Sequence, residues 1–141
     1  KRQVKSPKVY VTDSGLLHAL LDIGTQDQLD GHSKVGASWE GFVIAQVVRR
    51  LEARPEQCYF WATHAGAELD LLVTRGSRKI GFEIKRTDSP RMTRSMRSAR
   101  ETLRLKNLYV IHAGSASFDL ESDVRAVAAA DLLKEIRPLR S

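Results

Sequence analysis

The sequence predicts an α/β domain in which helices flank a mixed central sheet. Two observations indicate this class: helical patterns alternate with short strand-like runs, and residues 107–111 form a continuously apolar run typical of a buried strand. The chain has 141 residues, of which 42% are hydrophobic and 28% charged, so it can bury a core and has an ordinary globular composition. We therefore predict a single domain over residues 1–141.

The first 34 residues are predicted to contain two short elements. Residues 1–8 are basic and polar and include Pro7, which predicts a linker. Residues 9–11 predict a strand, residues 16–21 a short helix and residues 25–34 a polar surface loop. The candidate site residues all come after this part of the chain.

The strongest helical pattern covers residues 36–53 and carries a carboxylate on its apolar face. At about 100° per residue, Trp39, Val43 and Val47 fall on one side of this helix. Glu40 falls in the middle of that side, although an amphipathic helix normally keeps its carboxylates on the opposite one. Either Glu40 pairs with an arginine at the edge of the core, or it faces a functional site.

Three strand-like runs follow, and two of them carry charges where core residues are expected. The runs are residues 58–62, 68–73 and 81–85. The polar, glycine-containing segment between the last two predicts a tight antiparallel connection, so these strands are expected to be neighbours. Asp70 lies on one of them, and Glu83 and Lys85 share one side of the other because side chains alternate along a strand.

These carboxylates need a partner wherever they are buried. Desolvating an unpaired ion is costly, so Asp70 and Glu83 predict a nearby positive charge. A divalent cation would supply it. The structural alternative is an ion pair between Lys85 and Asp70 or Glu83 that only closes the sheet.

A helix over residues 90–105 is predicted to present an arginine-rich face. Its apolar stripe is Met92, Met96, Ala99 and Leu103. The opposite half of the helix carries Arg91, Arg94, Arg97, Arg100 and Arg104, with only Glu101 to offset them. The net charge of +6 and the pI near 9.8 favour a polyanionic partner. We predict that Arg91, Arg94, Arg97 and Arg100 bind nucleic-acid phosphates; the alternative is a face that only keeps the protein dissolved.

A last strand over residues 124–127 and a helix over residues 129–136 complete the pattern.

Composition excludes several classes of protein. The single cysteine, Cys58, cannot form an intramolecular disulfide and has no partners at zinc-ligand spacing. No apolar run approaches the roughly 20 residues of a membrane helix, and the start of the chain has no signal-peptide pattern. There is no Walker-type glycine-rich loop and no Ser/His/Asp grouping. A reducing, cytoplasmic location without a membrane partner is the expectation.

The order of charged residues on predicted elements resembles a nuclease core. An acidic helix residue, an Asp on one strand and a Glu-x-Lys on the next are matched by Glu40, Asp70, Glu83 and Lys85. This arrangement is similar to the PD-(D/E)XK nuclease superfamily, although Leu69 stands where the proline of that motif would be. The resemblance implies a three-layer, restriction-endonuclease-like core.

A closer resemblance covers residues 8–136. It rests on Lys-Val-Tyr-Val-Thr-Asp-Ser-Gly-Leu-Leu at residues 8–17, on Trp39–Glu40 and Phe60–Trp61, and on the two acidic strand segments. These resemble the C-terminal domain of unknown function 4143 of prokaryotic AAA+ type ATPases. The resemblance implies that a P-loop ATPase module precedes residue 1 in the natural protein, with residues 1–8 as the linker.

Taken with this resemblance, the residues predict a metal-dependent nuclease-like domain. Asp70 and Glu83 would hold Mg²⁺ or Mn²⁺, Glu40 would complete the metal site, and Lys85 would orient water or stabilise negative charge on the phosphate. The nucleic acid is expected to be DNA. The alternative is a non-catalytic nucleic-acid-binding or regulatory domain of the ATPase that keeps the fold.

Overall fold

A computed structural model of the protein describes residues 35–140, with side chains from Trp39 onward. The predicted linker, strand, short helix and loop over residues 1–34 lie outside the described residues. The elements in order are α1 (Val35–Leu51), β1 (Cys58–Ala62), β2 (Glu68–Arg75), β3 (Arg78–Lys85), α2 (Arg94–Leu103), β4 (Asn107–His112), β5 (Phe118–Glu121), β6 (Val124–Ala128) and α3 (Leu132–Glu135). In the described range, none of the helices has the length and apolarity that crossing a membrane requires.

The six strands form one mixed sheet in the order β1-β2-β3-β4-β6-β5. β1, β2 and β3 are antiparallel to one another, whereas β3, β4 and β6 are parallel and β5 is an antiparallel edge strand. α2 makes the crossover that a parallel β3–β4 pair requires. The predicted α/β class and mixed sheet are confirmed, and so is the prediction that the strands carrying Asp70 and Glu83 are antiparallel neighbours.

Helices cover both faces of this sheet. On one face, apolar residues of α1 form a cluster with Phe82 and Ile84 of β3 and with Ile111 of β4. On the other face, Met96 and Ala99 of α2 pack against residues of the opposite alternation, including Leu108 and Val110. The predicted stripe residues Trp39, Val43 and Val47 of α1 are therefore buried, whereas Glu40 on the same predicted side is exposed. Of the stripe predicted for α2, Met96 and Ala99 are buried, while Leu103 is partly buried and Met92 lies before the helix.

A β-bulge in β2 departs from the simple alternation expected from the sequence. Tyr59 pairs with Leu72 but Trp61 pairs with Leu69, so two residues of β2, Asp70 and Leu71, lie opposite the single residue between. As a result, Leu69 and Leu72 belong to the same hydrophobic cluster although they are three positions apart. Bulges of this kind redirect side chains and are common beside active sites. Asp70 is one of the two bulged residues.

α2 begins later than its predicted start near residue 90. Thr93 is the N-cap, and its side chain accepts a hydrogen bond from the Met96 N–H at 3.1 Å. A threonine cap provides the acceptor that the first turn needs. Arg91 therefore lies in the segment before the helix, not on it. β5 was not expected from the sequence, and α3 is shorter than the predicted helix over residues 129–136 because residues 129–131 form a 3-10 turn.

Gly81 allows three leucines to approach β3. A Cβ at this position would lie 2.8 Å from Leu105, 3.1 Å from Leu108 and 3.1 Å from Leu69. Because these leucines are buried, Gly81→Ala is expected to lower the free energy of unfolding by about 1–3 kcal/mol through overpacking. Urea denaturation measures this, with the exposed-turn variant Ser77→Ala as the control; an unchanged midpoint in Gly81→Ala would contradict the packing.

Candidate functional site

Asp70 and Glu83 are linked by two hydrogen bonds between β2 and β3. The N–H of Asp70 donates to Oε1 of Glu83 at 3.2 Å, and the N–H of Ile84 donates to Oδ2 of Asp70 at 2.8 Å. Each carboxylate thus accepts a backbone hydrogen bond from the other's strand. The two side chains that the sequence singled out are brought together by this exchange.

The site forms where the two strands part. Paired residues of β2 and β3 run from Arg75–Arg78 to Leu71–Phe82. Beyond that point β2 pairs with β1, through Leu69 and Trp61, while β3 continues along β4. Backbone N–H groups at the fork would lack ladder partners, and the two carboxylates supply them. The acidic residues are therefore part of how the fork is built.

Lys85 is paired with Glu83. Its Nζ lies 3.4 Å from Glu83 Oε2, and the side chain of Lys85 is 40% exposed whereas that of Glu83 is 10% exposed. The ion pair that the sequence left open as an alternative therefore exists, with Glu83 as its acidic member. Lys85 extends from this buried carboxylate toward solvent, where a phosphate could reach it.

Burial raises the pKa of both carboxyl groups. The pKa of Glu83 is raised to about 7, first by burial and then by the charge of Asp70, with Lys85 opposing. The pKa of Asp70 is raised mainly by burial, while the Ile84 N–H and Lys85 oppose that effect. Lys85 alone does not compensate the two acids. A divalent cation would supply the missing positive charge and displace the retained proton.

Glu40 approaches the pair from α1. Its pKa is raised by partial burial and by the negative charge of Asp70, and Lys85 opposes this, which places Glu40 within the field of both strands. One residue earlier, the ring of Trp39 lies 5.9 Å from the guanidinium of Arg86, which follows β3. This contact ties the first turns of α1 to the end of β3.

The donor set at the fork suits a hard divalent cation. Mg²⁺ and Mn²⁺ prefer carboxylate oxygens, and Mg²⁺ is commonly held by one or two carboxylates together with water and substrate phosphates. Over residues 39–140, no three His, Cys, Asp or Glu side chains are grouped closely enough to hold one ion. The structure therefore brings together Asp70 and Glu83 as a two-carboxylate site, and Glu40 stays outside that group.

Two of the four predicted phosphate-binding arginines have an acidic partner. Arg97 and Arg100 both contact Glu121 of β5, each at 3.0 Å. The expectation that only Glu101 offsets the arginine-rich face is wrong, because β5 adds a second carboxylate. Arg91 and Arg94 are exposed and come from the segment before α2 and from its first turn.

The start of α2 lies close to the acidic strand. The Glu68 N–H donates to Ser95 Oγ at 3.4 Å, and Glu68 is two residues from Asp70. This contact brings the N-terminal part of α2, where Arg94 lies, to the end of β2 at which the carboxylates meet. Arg94, in the first turn of α2, is the sequence neighbour of this Ser95.

His112 is a buried polar residue that sequence reasoning missed. It pairs with Lys85 in the parallel register of β3 and β4 and is fully buried. Its Nδ1 accepts the Gly114 N–H at 3.0 Å, so the neutral ring carries its proton on Nε2. That Nε2 has no hydrogen-bond partner among the described residues. A histidine that ends an apolar run was the available signal, but only the register shows its position beside Lys85.

Comparison with known proteins shows that the chain is similar to a described family and to proteins of two mycobacteria. A family model described as domain of unknown function (DUF4143) matches residues 35–132. Two uncharacterized proteins, one from Mycobacterium tuberculosis and one from Mycobacterium bovis, are each 47% identical to the chain over 133 residues. The match covers 94% of this chain but 30% of each relative, so in both relatives the region is one part of a larger protein. No solved structure matches the chain significantly.

Glu83 makes the stability of the metal-free protein depend on pH. The ordinary pKa of the group is 4.5 and the folded value is about 7, so between these values the folded chain keeps a proton that the unfolded chain has lost. The free energy of unfolding should therefore fall as the pH rises through this interval, and Glu83→Gln should remove most of the decline.

Urea denaturation at fixed ionic strength, with a chelator present, measures this effect. The exposed Glu56→Gln variant serves as the control and should keep the wild-type profile. An equal decline in Glu83→Gln would show that this carboxyl group does not hold the proton.

Proposed function

We propose that this chain, which belongs to the DUF4143 family, is a metal-dependent nuclease-like domain that acts on nucleic acid. The observation that carries the proposal is the fork at which the carboxylates of Asp70 and Glu83 each accept a backbone hydrogen bond from the other's strand. Lys85 Nζ lies 3.4 Å from Glu83 at the same place. An acidic pair with one lysine, on two adjacent strands, is the group expected of a PD-(D/E)XK site. On this proposal the mixed sheet with helices on both faces is a restriction-endonuclease-like core.

The chain's own residues have distinct tasks in this proposal. Asp70 and Glu83 would hold Mg²⁺ or Mn²⁺, and their backbone hydrogen bonds fix the carboxylates in advance. Lys85 would orient the attacking water or stabilise negative charge on the phosphate, since its side chain reaches solvent from the acidic pair. Glu40 would act from the edge of the site. When bound, the cation supplies Lewis-acid stabilisation of the phosphate and lowers the pKa of water.

The exposed arginines give the substrate a place to bind. Arg94 lies in the first turn of α2, beside the Ser95 that contacts the Glu68 N–H, and Arg91 lies three residues before it. Among the described residues, neither has a carboxylate contact like those of Arg97 and Arg100. Guanidinium groups bind backbone phosphates without reading base sequence. We assign phosphate binding mainly to Arg91 and Arg94, with Arg97 and Arg100 contributing when they leave Glu121. The proposed substrate is DNA, and the proposed location of the protein is the cytoplasm.

One observation favours the alternative, a non-catalytic regulatory domain. The Lys85–Glu83 ion pair already gives Glu83 a partner without any cation. In that case the domain would bind nucleic acid or regulate the module that precedes it. The relatives are long enough to hold such a module, and we propose that it is a P-loop ATPase.

Loss of the Asp70 carboxylate separates catalysis from binding. Asp70→Asn should reduce Mg²⁺- or Mn²⁺-dependent cleavage at least about a hundredfold, because an amide keeps the shape but loses the ionic ligand. Nucleic-acid binding should persist, because the arginines are unchanged. Lys85→Ala should also reduce cleavage but keep the thermal stabilisation produced by Mn²⁺, because an ammonium is not a metal ligand.

The assay uses single-stranded, duplex and branched DNA and RNA, and the control is Asp123→Asn. This control makes the same chemical change at an exposed turn whose φ of 64° asparagine tolerates. If the wild type binds these substrates but cleaves none, with or without the natural preceding module, the regulatory alternative replaces the nuclease proposal.

The contacts of the four arginines predict how much each contributes to DNA binding. Replacing Arg91 and Arg94 together by Gln should weaken DNA binding and reduce the slope of log affinity against log salt by about 1 for each phosphate that the variant no longer neutralises. Replacing Arg97 and Arg100 should have a smaller effect, because both are held by Glu121. Fluorescence anisotropy across a salt series measures both slopes; the reverse ranking would show that DNA displaces Glu121.

A further inference from the structure

A cavity lies near the start of β3, the end of the strand opposite Lys85. Arg78 begins β3 and Lys85 ends it, and a strand of this length separates its ends by about 23 Å at ~3.3 Å per residue. The cavity has a volume of about 230 Å³ and is lined by residues that include Arg78, Phe82, Tyr109, Glu135, Ile136 and Arg137. It lies on the α1 face of the sheet, beneath the segment that follows α3.

The segment over the cavity is fixed at several points. Arg50 of α1 donates from Nε to the Ile136 carbonyl at 2.6 Å and from Nη2 to the Leu133 carbonyl at 2.8 Å. Further along, the Leu139 N–H donates to the Leu51 carbonyl at 2.9 Å. These backbone contacts hold the segment at α1, so the cavity is a feature of the fold.

Uncompensated positive charge lines this cavity. Arg78 donates from Nη1 to the Leu139 carbonyl at 3.2 Å, but its Nε is buried without a hydrogen-bond partner among the described residues. Glu135 is the acidic residue of the lining, and Arg125 engages both of its oxygens, at 2.8 and 3.2 Å. Arg137 is exposed and adds a second guanidinium. A buried donor without a partner is costly and favours an acceptor that enters from outside.

The floor of the cavity is the half-buried ring of Tyr109, backed by the fully buried ring of Phe82. Phe82 and Tyr109 pair directly between β3 and β4, and their rings stack with centroids 5.5 Å apart and an angle of 20°. Pro138 adds aliphatic surface from the other side. A cavity of this volume would hold about eight water molecules at ~30 Å³ each. A small organic molecule of comparable size would bury apolar surface here while its anionic group meets the arginines.

We infer that this cavity binds a small organic oxyanion, a phosphate or carboxylate carried on a compact apolar or aromatic body. Arg78 and Arg137 bind the anionic group, the Tyr109 hydroxyl donates a further hydrogen bond, and the Tyr109 ring, backed by Phe82, contacts the body of the ligand. This site goes beyond the proposed nuclease function, because it uses none of the acidic-site residues.

Titration of the 141-residue chain with three probes tests the inference: inorganic phosphate, phenyl phosphate and benzoate, at constant ionic strength. We expect at least one of the two aromatic anions to bind saturably and about tenfold more tightly than inorganic phosphate, because its ring leaves water. The tighter of the two identifies the preferred anionic group. No saturable binding of either, or equal affinity for inorganic phosphate, overturns the inference.

Variants locate the binding. Arg78→Gln and Arg137→Gln should each weaken affinity about tenfold, and Tyr109→Phe about threefold. Arg137 is exposed, so its variant keeps the fold even if Arg78→Gln loosens the segment held through Leu139. Arg54→Gln, at an exposed position that belongs to neither proposed site, is the matched control and should bind like wild type. Unchanged affinity in the Arg137 variant, or loss of binding in the Arg54 variant, overturns the assignment.

Discussion

The exchange of hydrogen bonds between Asp70 and Glu83 is the constraint on which the candidate site depends. Two carboxylates at a largely buried fork cost desolvation energy and repel each other. The backbone N–H groups of Asp70 and Ile84 offset part of this cost because each meets an acidic oxygen from the other strand. The bulge in β2 and the departure of β3 toward β4 create the gap that the two side chains fill.

The same fork explains how one strand serves two regions. At its end, β3 carries Glu83 and Lys85, where pairing with β2 has stopped and only β4 remains as a neighbour. At its start, β3 carries Arg78 beside the segment after α3, where pairing with β2 is complete. Polar side chains are therefore available at both ends, while Ile80, Phe82 and Ile84 fill the α1 side between them.

The sequence predicts the acidic strands well because their signal is local. A charge inside an apolar strand run is visible without tertiary information, and the short polar connection fixes which strands are neighbours. Helical periodicity predicts Glu40 on the apolar side of α1, whereas in the structure Glu40 is exposed and lies outside the two-carboxylate group. These signals predict the mixed sheet and the meeting of Asp70 with Glu83, but the reciprocal bonds and the bulge depend on register, which no local pattern specifies.

Contacts between distant segments are what the sequence does not predict. Glu121 lies on a four-residue edge strand without a clear apolar period, so its pairing with Arg97 and Arg100 could not be foreseen. The position of His112 could not be predicted either, because its place beside Lys85 results from parallel pairing across the α2 crossover. The later start of α2 follows from the cap at Thr93, whose hydroxyl accepts the Met96 N–H.

The coexistence of two carboxylates with one lysine bears on what the site is for. If the Lys85–Glu83 ion pair only closed the sheet, the Asp70 carboxylate would add nothing but repulsion of Glu83. Burial and the charge of Asp70 raise the pKa of Glu83 to about 7, which shows this repulsion. An uncharged acceptor such as an amide at position 70 would still accept the Ile84 N–H and would remove that repulsion. Asp70 and Glu83 together carry more negative charge than Lys85 alone can neutralise. A bound cation would neutralise the remainder, and for this reason we prefer the nuclease proposal to the structural alternative.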